Sequence, residues 1–190
     1  MRARATILTI TAALTLGSGC GQQAARAKKE TGNPDQYFLV QAAIINESEI
    51  AASRLAAERA ASPRVKQFAQ HMITDHTAAN NELKQLAKRK DVNLVERPDE
   101  AHVMTAAHLS ELTGEQFDRE YIAEMVADHA KAVSLFTSRA RVATDPEIRA
   151  FAERMAPQLE EHLRMAQALD KTSSGTSAGS ASPGAHGGSH

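Results

Sequence analysis

The chain has no tryptophan, one cysteine in 190 residues, and only 4% aromatic residues. A lone cysteine closes no internal disulfide and builds no cysteine zinc centre, since both need further thiols at suitable spacing. Charge of one sign is nowhere concentrated. Twenty-two Lys and Arg stand against 23 Asp and Glu, and no block of five like charges occurs. Without a basic face to neutralise phosphates, no nucleic-acid partner is expected. Nucleophile triads and Gly-rich phosphate loops are missing as well, so the chain reads as a binding or structural protein before it reads as an enzyme. What abounds is Ala, Leu, Glu, Lys, Gln and Arg. These are helix formers, and the small ones let helices pack closely, so an all-α fold is expected.

Residues 1–19 have a short basic start (Arg2, Arg4), a mostly apolar stretch from Ala5 to Leu16, and the small residues Gly17, Ser18 and Gly19 before Cys20. This pattern predicts a signal peptide, too short to span a bilayer as a helix. Cys20 follows it as in a bacterial lipobox, although Leu16 stands four residues before the thiol and Gly17 takes the usual Leu place. Acylated there, Cys20 is expected to anchor the exported protein to a membrane, through acyl chains that each bury many methylenes. Gly21 in place of Asp favours the outer membrane, with the protein facing the periplasm. Residues 20–33 then form a flexible tether. Residues 172–190, rich in Ser and Gly, show no apolar periodicity and are expected to be a disordered tail.

Between these ends, apolar residues recur at helical spacing over about Asp35–Ala61, Pro63–Lys90, Glu115–Ala143 and Pro146–Lys171. Ser62-Pro63 and Asp145-Pro146 each put an N-cap type of residue before a proline at the first helical position. That arrangement ends one helix and starts the next, so each pair should fold as an αα-hairpin. The two hairpins are also alike in sequence: residues 62–72 (SPRVKQFAQHM) match residues 145–155 (DPEIRAFAERM) at one offset, 145 − 62 = 83. A duplicated hairpin, apolar on one face, buries that face against its twin. The connection from Asp91 to Gly114 carries a predicted short helix, Asp99 to Leu112, and is long enough to run the length of the bundle. The expected fold is therefore a ferritin-like antiparallel four-helix bundle in residues 34–171, with one long crossover.

Polar residues interrupt each apolar stripe near its middle: Glu49, His76, His129 and His162. From Ser62, Glu49 lies 13 residues back and His76 lies 14 on; from Asp145, His129 lies 16 back and His162 lies 17 on. At 1.5 Å rise per residue, each pair is level to within about 1.5 Å. Four such groups buried together need compensation, because an unpartnered buried charge costs several kcal/mol. Two readings follow. One is a single transition metal ion (Zn, Fe, Mn or Cu) held by the imidazoles and the carboxylate. The other is a hydrogen-bonded cluster that only fixes the packing of a structural or interaction module. Asp75, Asp128 and Glu161 each precede one of these histidines, either as supporting partners or as members of surface ion pairs. Met72, Met125, Met155 and Met165 lie within a turn or two, as thioether donors or as ordinary gap-fillers.

The segments FAQHMITDH (68–76), FDREYIAEMVADH (117–129) and Glu161-His162 resemble the domain of unknown function 4142 family over about Asp35 to Asp170. The resemblance implies an exported protein with a ferritin-like bundle, and no established activity. Di-iron bundles carry Glu-x-x-His on two helices. Here Ile73 and Leu159 stand three residues before His76 and His162, which argues against iron storage or di-iron oxidation.

Overall fold

A computed structural model describes residues 33–176, with side chains through Lys171. The described residues form five helices, α1 (Pro34–Arg59), α2 (Pro63–Arg89), α3 (Glu100–Glu111), α4 (Gly114–Val142) and α5 (Pro146–Thr176). All belong to the unit that begins at Pro34. The expected signal peptide, Cys20 and most of the tether lie outside the described residues, as does the tail beyond residue 176. One boundary moves: α5 continues to Thr176, five residues into the stretch expected to be disordered, as an established helix extends at little cost per residue.

Local chemistry explains the joints. Proline opens α1, α2 and α5, where its missing N–H leaves no bond unmade. Asp145 caps α5 by accepting from the N–H groups of Glu147 (2.9 Å) and Ile148 (3.2 Å). Asp99 caps α3 through the N–H of His102, at 3.0 Å. Ser62 departs from expectation, because its hydroxyl makes no cap bond. That turn is held from outside: Asp118 on α4 accepts from the N–H groups of Ala61 (2.9 Å) and Ser62 (2.7 Å). The twin turn is held alike. Asp35 on α1 accepts from Thr144 N–H (2.9 Å), Thr144 hydroxyl (2.7 Å), Asp145 N–H (2.8 Å) and Arg139 (3.1 Å). Asp35 and Asp118 stand at the repeat offset, 118 − 35 = 83, so the duplication extends to its clamps. Gly114 sits at φ +63°, a left-handed conformation that suits glycine where α3 gives way to α4.

These clamps fix the topology. Asp35, at the start of α1, lies by the end of α4, and Asp118, near the start of α4, lies by the end of α1, so α1 and α4 run antiparallel. Arg89 at the end of α2 bonds Glu147 at the start of α5, at 2.8 Å, and that pair is antiparallel too. The two hairpins thus have their turns at opposite ends of an all-α bundle. The chain between them, residues 90–113 with α3 in its second half, must travel its length. No helix among the described residues is long and apolar enough to cross a membrane.

The core falls into two apolar clusters. One gathers Phe38, Leu39, Leu83, Leu86, Phe136, Phe151 and Leu159; the other gathers Phe68, Met72, Leu109, Phe117, Tyr121, Ile122 and Met125. Buried polar side chains, among them Asn46, Glu49, His76, Asn80, His129 and His162, belong to neither. On α4 the buried stripe runs through Ile122, Met125, His129, Ala132 and Phe136.

Candidate metal centre

Three of the four polar interruptions meet. His76 on α2, His129 on α4 and His162 on α5 are buried, with ring centroids 5.5 Å (76–129), 5.3 Å (76–162) and 5.3 Å (129–162) apart. One nitrogen from each lies within 4.8 Å of the other two.

The outer nitrogens decide what the inner ones can do. His76 Nδ1 is 3.0 Å from Asn46 Oδ1, His129 Nδ1 is 2.9 Å from the Met125 carbonyl, and His162 Nε2 is 2.9 Å from Asp75 Oδ2. All three partners are acceptors, so each outer nitrogen carries the proton and donates. The tautomers follow. His76 Nε2, His129 Nε2 and His162 Nδ1 are left with lone pairs, and these are buried atoms without a hydrogen-bond partner. Protonation is disfavoured as well. Burial, and then the neighbouring rings, hold His76 well below the usual imidazole range. Burial, and then His162, bring His129 down to about 4. Burial lowers His162 against the pull of Asp75. Three neutral imidazoles with converging lone pairs and fixed outer bonds form a nitrogen donor set oriented for a cation.

Glu49 is buried too, but on another side. Its Oε1 lies 3.5 Å from His129 Nδ1, the outer nitrogen, and neither carboxylate oxygen has a hydrogen-bond partner. Burial, then the charge of Asp128, pushes its carboxyl well above the usual range. Glu49 thus stands behind the trio. A cavity of about 10 Å³, enough for about one water, lies against His76 and His162 and is also lined by Asn46, Phe136, Met155 and Leu159. The Tyr121 hydroxyl shares a buried hydrogen bond with Ser53, at 2.9 Å.

The three acidic neighbours separate. Asp75 supports His162 and also accepts from Gln158, at 2.8 Å; despite its partial burial, these bonds lower its carboxyl. Glu161 pairs with Arg164 on the surface. Asp128 turns toward Lys131 (2.8 Å) and toward His102 of α3 (3.4 Å). Sequence reasoning missed Asn46, whose signal was the repeat offset that aligns it with His129 (129 − 83 = 46). It also missed His71, one helical turn before Asp75.

His102 carries a prediction. Asp128, and then Asp99 on the other side of the ring, raise it to about 9 against partial burial. A raised imidazole stabilises below its unfolded pKa of about 6.5 and loses that contribution as pH climbs through 9. Hydrogen-exchange protection of α3 should therefore fall between about pH 6.5 and 9.5 beyond the intrinsic rate change, and His102→Ala should abolish that excess. An unchanged excess in the variant would refute the link.

The family model described as "Domain of unknown function (DUF4142)" matches residues 20–169. No curated protein matches the chain. Among solved structures, a DUF305 protein from Streptomyces coelicolor, described as secreted, is similar at 14% identity and a TM-score of 0.65, covering 75% of this chain and 94% of its own. A DUF305 fragment from Deinococcus radiodurans is similar at 16% identity and a TM-score of 0.65, covering 74% and 97%. CopM in its Cu(II)-bound form is similar at 19% identity and a TM-score of 0.62, covering 73% and 96%. At these identities the likeness shows the fold.

Proposed function

The chain belongs to the DUF4142 family, and from that premise we propose that it is an exported, membrane-anchored envelope protein that binds one transition metal ion through His76, His129 and His162, for metal handling or stress protection. One observation carries this: three buried ring nitrogens converge without partners while the opposite nitrogen of every ring faces an acceptor. A purely structural polar layer has no reason to leave all three inner lone pairs unmatched, since each unmet buried acceptor costs about 1–3 kcal/mol. Glu49 acts in this reading as a nearby negative charge that offsets the cation, and Asn46 and Asp75 hold two of the rings in place. The small cavity leaves room for one exogenous ligand, completing four-coordination. Among divalent ions a nitrogen set prefers Cu(II), and a bundle of similar fold is known with that ion bound. Export and anchoring rest on the leader and Cys20, and kinship with ferritin-like bundles rests on the single long crossover.

The test is metal analysis of protein purified without chelator or affinity tag, followed by titration with Cu(II) and Zn(II). About one ion per chain is expected, and His76→Ala or His129→Ala should weaken binding by at least a hundredfold. Sub-stoichiometric metal that neither substitution alters would leave the polar layer as a packing device in a structural or interaction module.

A further inference from the structure

His162 has two working nitrogens, and the outer one faces a second group of donors. His71 and Asp75 lie one turn apart on α2, with His71 Nε2 3.4 Å and His162 Nε2 2.9 Å from the same oxygen, Asp75 Oδ2. The His71 and His162 ring centroids are 5.5 Å apart, and one ligating atom from each of the three residues lies within 4.8 Å of the others. Exposure grades across the group: the side chain of His71 is 43% exposed, that of Asp75 21% and that of His162 2%. His71 also lines an open groove between α2 and α5, together with Phe68, Gln70, Thr74 and Met165.

We propose that His71, Asp75 and the outer nitrogen of His162 form a second, solvent-reached site for a divalent transition metal ion, and that this site loads the inner trio through the shared ring. The proposal rests on the reading of the inner trio as a metal site. Both are first-row nitrogen and oxygen donor sets, so the same ions suit each.

The shared ring sets the rule of operation. A neutral imidazole has one lone pair, so His162 ligates through Nδ1 or Nε2 but not both. With an ion inside, Nε2 keeps its proton and donates it to Asp75. With an ion outside, the Nε2 proton leaves to solvent and Nδ1 takes one up, which turns an N–H toward the inner site and closes it. Transfer inward reverses the exchange: Nδ1 gives up its proton as it takes the ion, and Nε2 is protonated again beside Asp75. Protons balance at every stage, and no redox change occurs. Occupancy of the two sites is thus mutually exclusive, and one ion passes at a time from the groove to the core.

As a surface ion pair, His71 and Asp75 would contribute little and need no third partner. Asp75 Oδ2, however, accepts from Gln158 and His162 and has His71 Nε2 3.4 Å away, so three groups already face the one oxygen at which a cation would arrive.

The experiment uses the full-length mature chain, untagged, with Cu(II) as probe. Wild type should bind one ion tightly, with electron paramagnetic resonance showing three nitrogens. In His129→Ala, and independently in His76→Ala, one weaker ion should remain with two nitrogens and a carboxylate oxygen, and adding His71→Ala should abolish it. His71→Ala alone should leave equilibrium affinity within about twofold but slow loading, followed by stopped-flow absorbance, at least tenfold. If wild type binds with three nitrogens while both single variants bind nothing and His71→Ala loads at the normal rate, the outer site is overturned and the inner one stands. If wild type shows only the weaker two-nitrogen ion, removable by His71→Ala, the outer site stands and the inner reading fails.

Discussion

Replacing Asp35 with alanine should lower the midpoint of thermal unfolding at pH 7 by about 6–12 °C. The carboxylate is 3% exposed and accepts four bonds from the α4–α5 turn, two from backbone N–H groups, one from the Thr144 hydroxyl and one from Arg139. Alanine removes the acceptor and strands these donors; bonds to a charged group contribute about 1.5–3 kcal/mol each, and the loss is reduced where water reaches the stranded donors. A net loss of about 3 kcal/mol corresponds to that temperature shift in a protein of this size. Acid provides the control. Burial opposes ionisation of Asp35, but the bonds from Asp145, Thr144 and Arg139 outweigh it and hold its carboxyl below the usual range. A depressed carboxylate stabilises above its unfolded pKa of about 3.9 and loses that contribution as pH falls through the folded value. The gap between wild type and Asp35→Ala should therefore narrow below about pH 4. Asp118→Ala, which removes two backbone bonds, should cost less. An Asp35→Ala midpoint within 2 °C of wild type would mean that the turn needs no clamp.

The clamps also show where sequence reasoning stops. Helix starts were legible to within a residue or so because proline acts on its own φ, locally and whatever the tertiary context. The duplicated hairpins were legible because two matched stretches share one spacing. Asp35 and Asp118 were not, since each serves a turn far away in sequence and becomes visible only when the helices are assembled. The same division runs through the candidate site. The common depth of His76, His129 and His162 follows from counting residues out from two turns, since rise per residue is nearly invariant. The side of a ring on which a neighbour lies depends on helix rotation, which counting does not constrain. Hence Glu49, level with His76, falls behind His129, while Asn46, three residues earlier, takes the place beside His76. Asp75 and Asp128 occupy like positions in sequence, yet one faces His162 and the other turns to α3, because only Asp128 has His102 within reach.

That placement of Glu49 separates two properties that usually move together, and Glu49→Gln should shift them in opposite directions. In the metal-free protein Glu49 is 2% exposed and neither oxygen has a hydrogen-bond partner, so folding at pH 7 must either bury its charge or protonate it. Glutamine fills the same volume without a charge. The metal-free variant should be at least as stable as wild type, by up to about 3 kcal/mol or about 12 °C in midpoint, since relieving a poorly compensated buried charge ranges from neutral to stabilising. With a cation on the three imidazoles the carboxylate becomes useful, because it lies 3.5 Å behind His129 and offsets part of the added positive charge. Losing such a partner typically weakens a metal site by about 10–100-fold. Wild type at a free Cu(II) concentration 100 times its dissociation constant should gain about 2.7 kcal/mol by mass action, and the variant at the same concentration about 0.4–1.4 kcal/mol. Thermal melts of both proteins with and without Cu(II) read all four states. A Glu49→Gln protein that is less stable without metal would show that this carboxylate is already compensated by the fold, and its role as a counter-charge held for a cation would have to be given up.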